Sequence, residues 1–196
     1  MSATPGPAGP PWAVTTGECS PQTVGRLLGL LPAWFGIPSA NADYVAAAGR
    51  LPTYLAWPGR SAGPGGDAPS AGVPSAGVPS AGVLPAGVLL AERHFAETAE
   101  IHLMAVDPAV HRRGVGRAMV GALERDLLAD RVGLLEVKTL GPSHPDAGYA
   151  LTRLFYQSMG FAPVEELLDL WPGNPCLIMI KVLGSPALTR PRRNCR

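Results

Sequence analysis

Apolar residues recur along this chain with two periods. Alternation is clearest at residues 99–106. There Ile101, Leu103 and Ala105 fall on one face and Glu100, His102 and Met104 on the other, the mark of a half-buried strand. Residues 52–57, 87–92 and 134–140 also read as strands, and two closing strands contain Phe161 to Leu170 and Cys176 to Val182. Helical spacing places Val24, Leu27, Leu28 and Leu31 behind Ser20-Pro21, a residue pair suited to a helix start. Asn41 is placed to cap a second, short helix running through Tyr44 and Ala48. A long amphipathic helix carries Val115, Met119, Leu123 and Leu127 in register, and a last helix over 151–159 is stopped by Gly160. A strand run followed by βαβαββ predicts an α/β fold, a mixed central sheet with helices on both faces.

Between the strands at 52–57 and 87–92 the pattern disappears. Pro69-Ser-Ala-Gly-Val73 is repeated from Pro74 and Pro79, and a decayed copy follows at Pro85. A five-residue repeat of small residues has no face to bury, so it does not offset the entropy of ordering. It reads as an insertion, residues 61–85, in the loop of a hairpin, where added length costs little. The expected organisation is a disordered start (1–12), one domain (13–183) and a basic flexible tail (184–196).

The chain has 196 residues, a net charge of +1 and only 16% charged residues, which predicts neither a nucleic-acid nor a membrane partner. Three cysteines with no CxxC pair predict neither a disulfide framework nor a structural metal. The N-terminal stretch lacks an apolar h-region and no run reaches the ~18 residues of a membrane span, so the expected compartment is the cytoplasm.

The chemistry concentrates in "VDPAVHRRGVGRAMV", residues 106–120. A strand ends at Val106, Asp107-Pro108 turns the chain, and a helix begins near Gly114. Gly114 and Gly116 let backbone approach a ligand, first-turn amides point outward, and Arg112, Arg113 and Arg117 add positive charge. A phosphate or pyrophosphate suits such a site, and an exposed basic turn is the plain alternative. No Gly-Lys-[Ser/Thr] closes a P-loop, and Met119 stands where a dinucleotide fingerprint needs glycine.

His111-Arg-Arg-Gly-Val-Gly116, following a strand that ends in Val-Asp-Pro, resembles the acetyl-CoA signature [Gln/Arg]-x-x-Gly-x-[Gly/Ala] of the GNAT N-acetyltransferase superfamily. His111 replaces the usual Gln or Arg. About forty residues on, Leu154-Phe-Tyr-Gln-Ser-Met-Gly-Phe161 is similar to the family's helix-four segment. The Asn common before it is Tyr149 here, and Thr152-Arg153 stand where small apolar residues are usual. The resemblance covers roughly residues 13–183 outside the insertion. It implies a mostly antiparallel mixed sheet, splayed at the cofactor slot. Backbone of Met104, Ala105 and Val106 would meet pantetheine, and His111, Arg112, Arg113, Gly114, Val115, Gly116, Arg117 and Ala118 would surround the pyrophosphate. The slot's second arm would be residues 134–139.

The implied activity is direct attack of a primary amine, on a small molecule, peptide or protein, upon the acetyl-CoA thioester, with no metal, by a monomer or homodimer. Tyr156 occupies the position of the family's general acid, or is a core aromatic. A lysine-like amine is about one part in a thousand unprotonated near neutral pH, so a base is useful. Glu100 lies similarly to the family's catalytic glutamate and His102 shares its face, so that Glu100, His102 or no dedicated base all remain open. Trp34, Phe35, Tyr44, His144, Asp146 and the 171–175 loop are candidates for the acceptor side. An acetyl-CoA sensor without turnover is the alternative reading.

Overall fold

The computed structural model describes residues 12–17, 19–59 and 82–184. The expectations for residues 1–11, for the repeats up to Ala81 and for the tail from Ser185 lie outside them. In chain order the elements are β1 (Trp12–Thr16), α1 (Pro21–Gly29), α2 (Pro38–Ala47), β2 (Thr53–Pro58), β3 (Gly87–Phe95), β4 (Thr98–Val106), a 3₁₀ turn (Pro108–Val110), α3 (Val115–Ala129), β5 (Leu134–Leu140), α4 (Ala147–Ser158), β6 (Ala162–Trp171) and β7 (Asn174–Val182). The strands hydrogen-bond in the order β1-β2-β3-β4-β5-β7-β6. Of the registered pairs only β4–β5 is parallel, giving the mixed sheet that the pattern predicted, mostly antiparallel as the resemblance implied.

The chain forms two compact units. The first holds residues up to Ala91 together with His102 to Leu123. Its core gathers Val24, Leu27, Leu28 and Leu31 with Leu55, Val88, Leu90, Leu103 and Ala105, all buried, so each aliphatic contributes roughly 1.5–3 kcal/mol of transfer free energy. The predicted hairpin is present: β2 pairs antiparallel with β3 from Thr53↔Leu90 to Ala56↔Gly87. The decayed repeat therefore runs into the strand, its last two residues Gly87 and Val88 opening β3, with Ala86 and Val88 buried. Gly87 permits its close packing, because a Cβ there would lie 2.8 Å from Val115 Cγ1 and 2.9 Å from Met119 Cε.

Two boundaries in this unit differ from expectation. Trp12 was assigned to a disordered start, but it opens β1, whose register with β2 runs from Trp12↔Pro58 to Thr16↔Tyr54. Asn41 does not cap α2. That helix begins at Pro38, whose fixed φ suits a first turn, and Asn41 Nδ2 donates to Phe35 O at 2.8 Å.

Of the described residues, the second unit holds Glu92 to Ile101 and Glu124 to Gly184. Here β5 pairs with β7 along its whole length, Leu134↔Val182 to Leu140↔Cys176. The β4–β5 ladder runs from Thr98↔Leu134 only to Ile101↔Val137, although β4 continues to Val106 and β5 to Leu140. Helix α4 starts a turn earlier than its apolar spacing indicates, because Asp146 caps it by accepting from Tyr149 N at 2.8 Å. It stops where predicted: Gly160 takes φ 89°, and Phe161 N returns to Tyr156 O at 3.0 Å. Among the described residues no helix is long and apolar enough to cross a membrane.

Gly87→Val places a branched side chain against Val115 and Met119, both buried. It should lower unfolding stability by about 1–3 kcal/mol, seen as a reduced urea midpoint with an unchanged slope. An unchanged midpoint would show that β3 and α3 have room to spare there.

Candidate active site

The segment joining β4 to α3 is held by five contacts within the first unit. Asp107 N donates to Ala86 O at 2.8 Å, and its carboxylate accepts from Ala109 N at 2.9 Å, fixing the 3₁₀ turn. His111 Nε2 lies 2.9 Å from Val106 O; since a carbonyl only accepts, this nitrogen carries the hydrogen. The same ring meets Trp34 edge-on, with centroids 5.9 Å apart. Trp12 Nε1 donates to Arg113 O at 2.6 Å. The histidine at the signature's variable position is thus an anchor for the loop.

Within this frame Arg112 takes φ 62° and Gly114 φ 87°. Left-handed residues in a tight turn aim backbone N–H groups toward a common side, a concavity suited to anions. The first backbone bond of α3 is Ala118 N to Gly114 O at 3.0 Å, so the amides of Gly114, Val115 and Gly116 precede the helical ladder. A Cβ on Gly114 would meet nothing within 4 Å, so open space lies over the turn. Arg112, Arg113 and Arg117 are exposed, and among the described residues neither Arg112 nor Arg113 pairs with an acid. Outward amides, a positive helix end, and arginines around open space fit a pyrophosphate. Val115, by contrast, is a buried anchor of α3, and Ala118 is half-buried.

The candidate catalytic residues have different surroundings. His102 packs edge-on against Tyr44, centroids 5.6 Å apart, in the first unit. Trp34, Phe35 and Tyr44 are half-buried against that unit's core. In the second unit Glu100 is 8% exposed and its Oε2 receives two partners, His94 Nε2 at 2.6 Å and Lys138 Nζ at 2.8 Å. Lys138 also reaches Glu136 Oε1 at 2.7 Å. Burial pushes the Glu100 carboxyl up, but hydrogen bonds and charge from Lys138 and His94 outweigh it and hold it below the ordinary carboxylate value. Burial likewise pushes Lys138 down, and its bonds to Glu100 and Glu136 hold it above the usual lysine value. Nearby Cys176 is fully buried, and burial pushes its thiol up to about 11, which favours the protonated form at neutral pH.

Tyr156 is buried on α4, its ring between Phe155 and Phe161 at 5.2 and 5.4 Å. Arg153, one of the departures in helix four, donates to Leu140 O at 2.8 Å and Gly141 O at 3.3 Å, tying α4 to the end of β5. Asp146 is engaged as the helix cap, and residues 171–175 form a tight turn in which Trp171 pairs with Asn174. Three contributors were not singled out from the sequence: Trp12, His94 and Lys138. Each acts through a partner far along the chain or on another strand, which no local pattern announces.

Residues 81–163 match the family model of the acetyltransferase (GNAT) domain. No curated protein matches the chain by sequence. Among solved structures, a putative GNAT-family acetyltransferase of Desulfovibrio desulfuricans is 17% identical with a TM-score of 0.66, covering 88% of this chain and 99% of that one. A ribosomal-protein alanine N-acetyltransferase of Escherichia coli is 16% identical at TM-score 0.62, covering 94% and 99%. A GNAT-family acetyltransferase of Elizabethkingia anophelis with acetyl-CoA bound is 13% identical at TM-score 0.57, covering 88% and 98%.

Because its pKa is lowered on folding, Glu100 stabilises the folded state above the ordinary carboxylate range, and loses that effect as pH falls through its folded value. Lys138, raised, contributes below the ordinary lysine range and loses its effect as pH rises through its own. Glu100→Gln should therefore cost about 1–3 kcal/mol between roughly pH 5 and 10, with the difference closing as pH falls below the ordinary carboxylate range. Denaturant melts at several pH values measure it, and a penalty independent of pH would place the effect in packing.

Proposed function

We propose that this chain is a GNAT acetyltransferase, as the match of residues 81–163 to that domain supports, and that it transfers an acetyl group from acetyl-CoA to a primary amine on a small molecule, peptide or protein. The observation that supports this most is the turn at residues 111–116, where left-handed backbone at Arg112 and an uncrowded Gly114 lead into α3 beside exposed arginines. In this reading the amides of Gly114, Val115 and Gly116, with Arg112, Arg113 and Arg117, hold the pyrophosphate, while His111 and Trp12 keep the loop in place. Met104, Ala105 and Val106 present backbone groups to the pantetheine amides as a neighbouring strand would. The Val106 carbonyl keeps a second lone pair beside the one His111 uses.

Acetyl-CoA supplies an activated acyl carbon on a thiolate leaving group. Glu100 takes the proton of the acceptor ammonium, directly or through water, and the electron pair stays on nitrogen for attack. The transfer is uphill: about six pKa units separate an alkylammonium from an ordinary carboxyl, or roughly 8 kcal/mol. A turnover on the order of 10 s⁻¹ corresponds to a barrier near 16 kcal/mol, so that cost fits within it. As the C–S bond breaks Tyr156 gives its hydroxyl proton to the departing sulfur, a smaller step, since free phenols and thiols differ by only about 1.5 units, and the surplus proton on the new amide nitrogen, passed through water, restores the phenol. His102, packed on Tyr44, contributes to the shape of the acceptor side in this reading.

Gly114→Glu fills and charges the open space over the turn, and calorimetry should find CoA binding abolished. Equal affinity in variant and wild type would remove the pyrophosphate assignment. Tyr156→Phe preserves the ring between Phe155 and Phe161 and should lower turnover by roughly 10²–10⁴-fold while CoA affinity holds. Wild-type turnover with chemistry rate-limiting would reduce Tyr156 to packing.

A further inference from the structure

Resting on the reading of Glu100 as proton acceptor, we propose that His94 and Lys138 are positioning residues for it. They pin Oε2 of the carboxylate, leave Oε1 as the atom that takes the proton, and make the site responsive to the protonation of His94. The sheet explains why the cluster exists. Glu100 on β4 and Glu136 on β5 are direct register partners, two carboxylates whose proximity is unfavourable alone. Lys138 lies two residues beyond Glu136, hence on the same face of β5, and its ammonium bridges both acids at 2.8 and 2.7 Å. From β3, His94 closes on the same oxygen that Lys138 uses, at 2.6 Å.

Two short bonds from cationic or N–H donors occupy Oε2 and fix the carboxylate plane. Oε1 has no hydrogen-bond partner among the described residues. The groups facing Glu100 are His94 from β3, Lys138 and Glu136 from β5, and the buried thiol of Cys176 from β7. Of the pair on Oε2, the lysine keeps its charge through the neutral range, whereas an imidazole can lose its own. His94 is also the more exposed of the two, its side chain at 38% against 26%, so bulk protons reach it. With His94 protonated, Glu100 sits between two cations and its oxygens are less basic. With His94 neutral, one of those charges is gone and proton acceptance at Oε1 becomes easier.

The test uses the full-length protein in two measurements. The first, independent of any acceptor, is a ¹³C titration of the Glu100 carboxyl: its midpoint should rise in His94→Leu relative to wild type. The second is turnover against pH with an amine accepted in a CoA-release screen. Since ionisation of that amine affects every variant alike, the comparison between variants isolates His94. Between pH 8 and 5.5 wild type should lose roughly 3–10-fold more rate than His94→Gln, whose amide can donate but does not titrate. His94→Leu should be slower than His94→Gln at pH 8, since it lacks the donor. An unmoved Glu100 midpoint, or superimposable profiles for wild type and His94→Gln, overturns the inference. Full activity in Glu100→Gln would overturn the underlying base assignment instead, whereas a slow Glu100→Gln beside unaffected His94 variants overturns the inference alone.

Discussion

An α-helix leaves its first N–H groups without partners, and in this chain the start of α3 follows a Gly114 that nothing crowds. Holding a loop in that form takes work from the rest of the first unit. Arg112 and Gly114 adopt left-handed backbone, Asp107 ties the turn to Ala86, His111 bonds back to Val106, and Trp12 reaches Arg113 from β1. The core of α1, β2, β3 and β4 supports those anchors, and Gly87 lets α3 lie close against β3. Outward amides at a positive helix end attract an anion, and the exposed arginines strengthen that preference.

The second unit uses charge differently. Two acids brought together by strand register are reconciled by Lys138 and His94, and the cluster ionises Glu100 while weakening its basicity. A carboxylate so held remains charged at neutral pH, and takes up a proton only as part of an uphill step. The same bonds therefore lower the basicity of the carboxylate, and both fall on Oε2.

Much of the architecture was legible because it follows from local periodicity. The alternation at 99–106, the register of Val115, Met119, Leu123 and Leu127, and the stop at Gly160 all correspond to observed elements. The turn into α3 could be read from Asp107-Pro108 and Gly114. What escaped depends on distant partners. Strand β1 follows a stretch rich in Pro and Gly, and only its pairing with β2 makes it a strand. Asn41 looked like a cap because its residue type favours one, yet Pro38 sets the helix start and Asn41 bonds a preceding carbonyl. His94 and Lys138 carry no motif. Their importance comes from where β3 and β5 lie beside β4.

The central claim is that the turn at 111–116 holds the pyrophosphate of CoA through its backbone. Amide ¹H–¹⁵N spectra of isotopically labelled protein titrated with CoA address it residue by residue. The account predicts that Gly114, Val115 and Gly116 show the largest downfield amide shifts, as expected for N–H groups that gain an anionic acceptor, and that pyrophosphate alone reproduces their direction. Saturable CoA binding that leaves these three amides unmoved would contradict it.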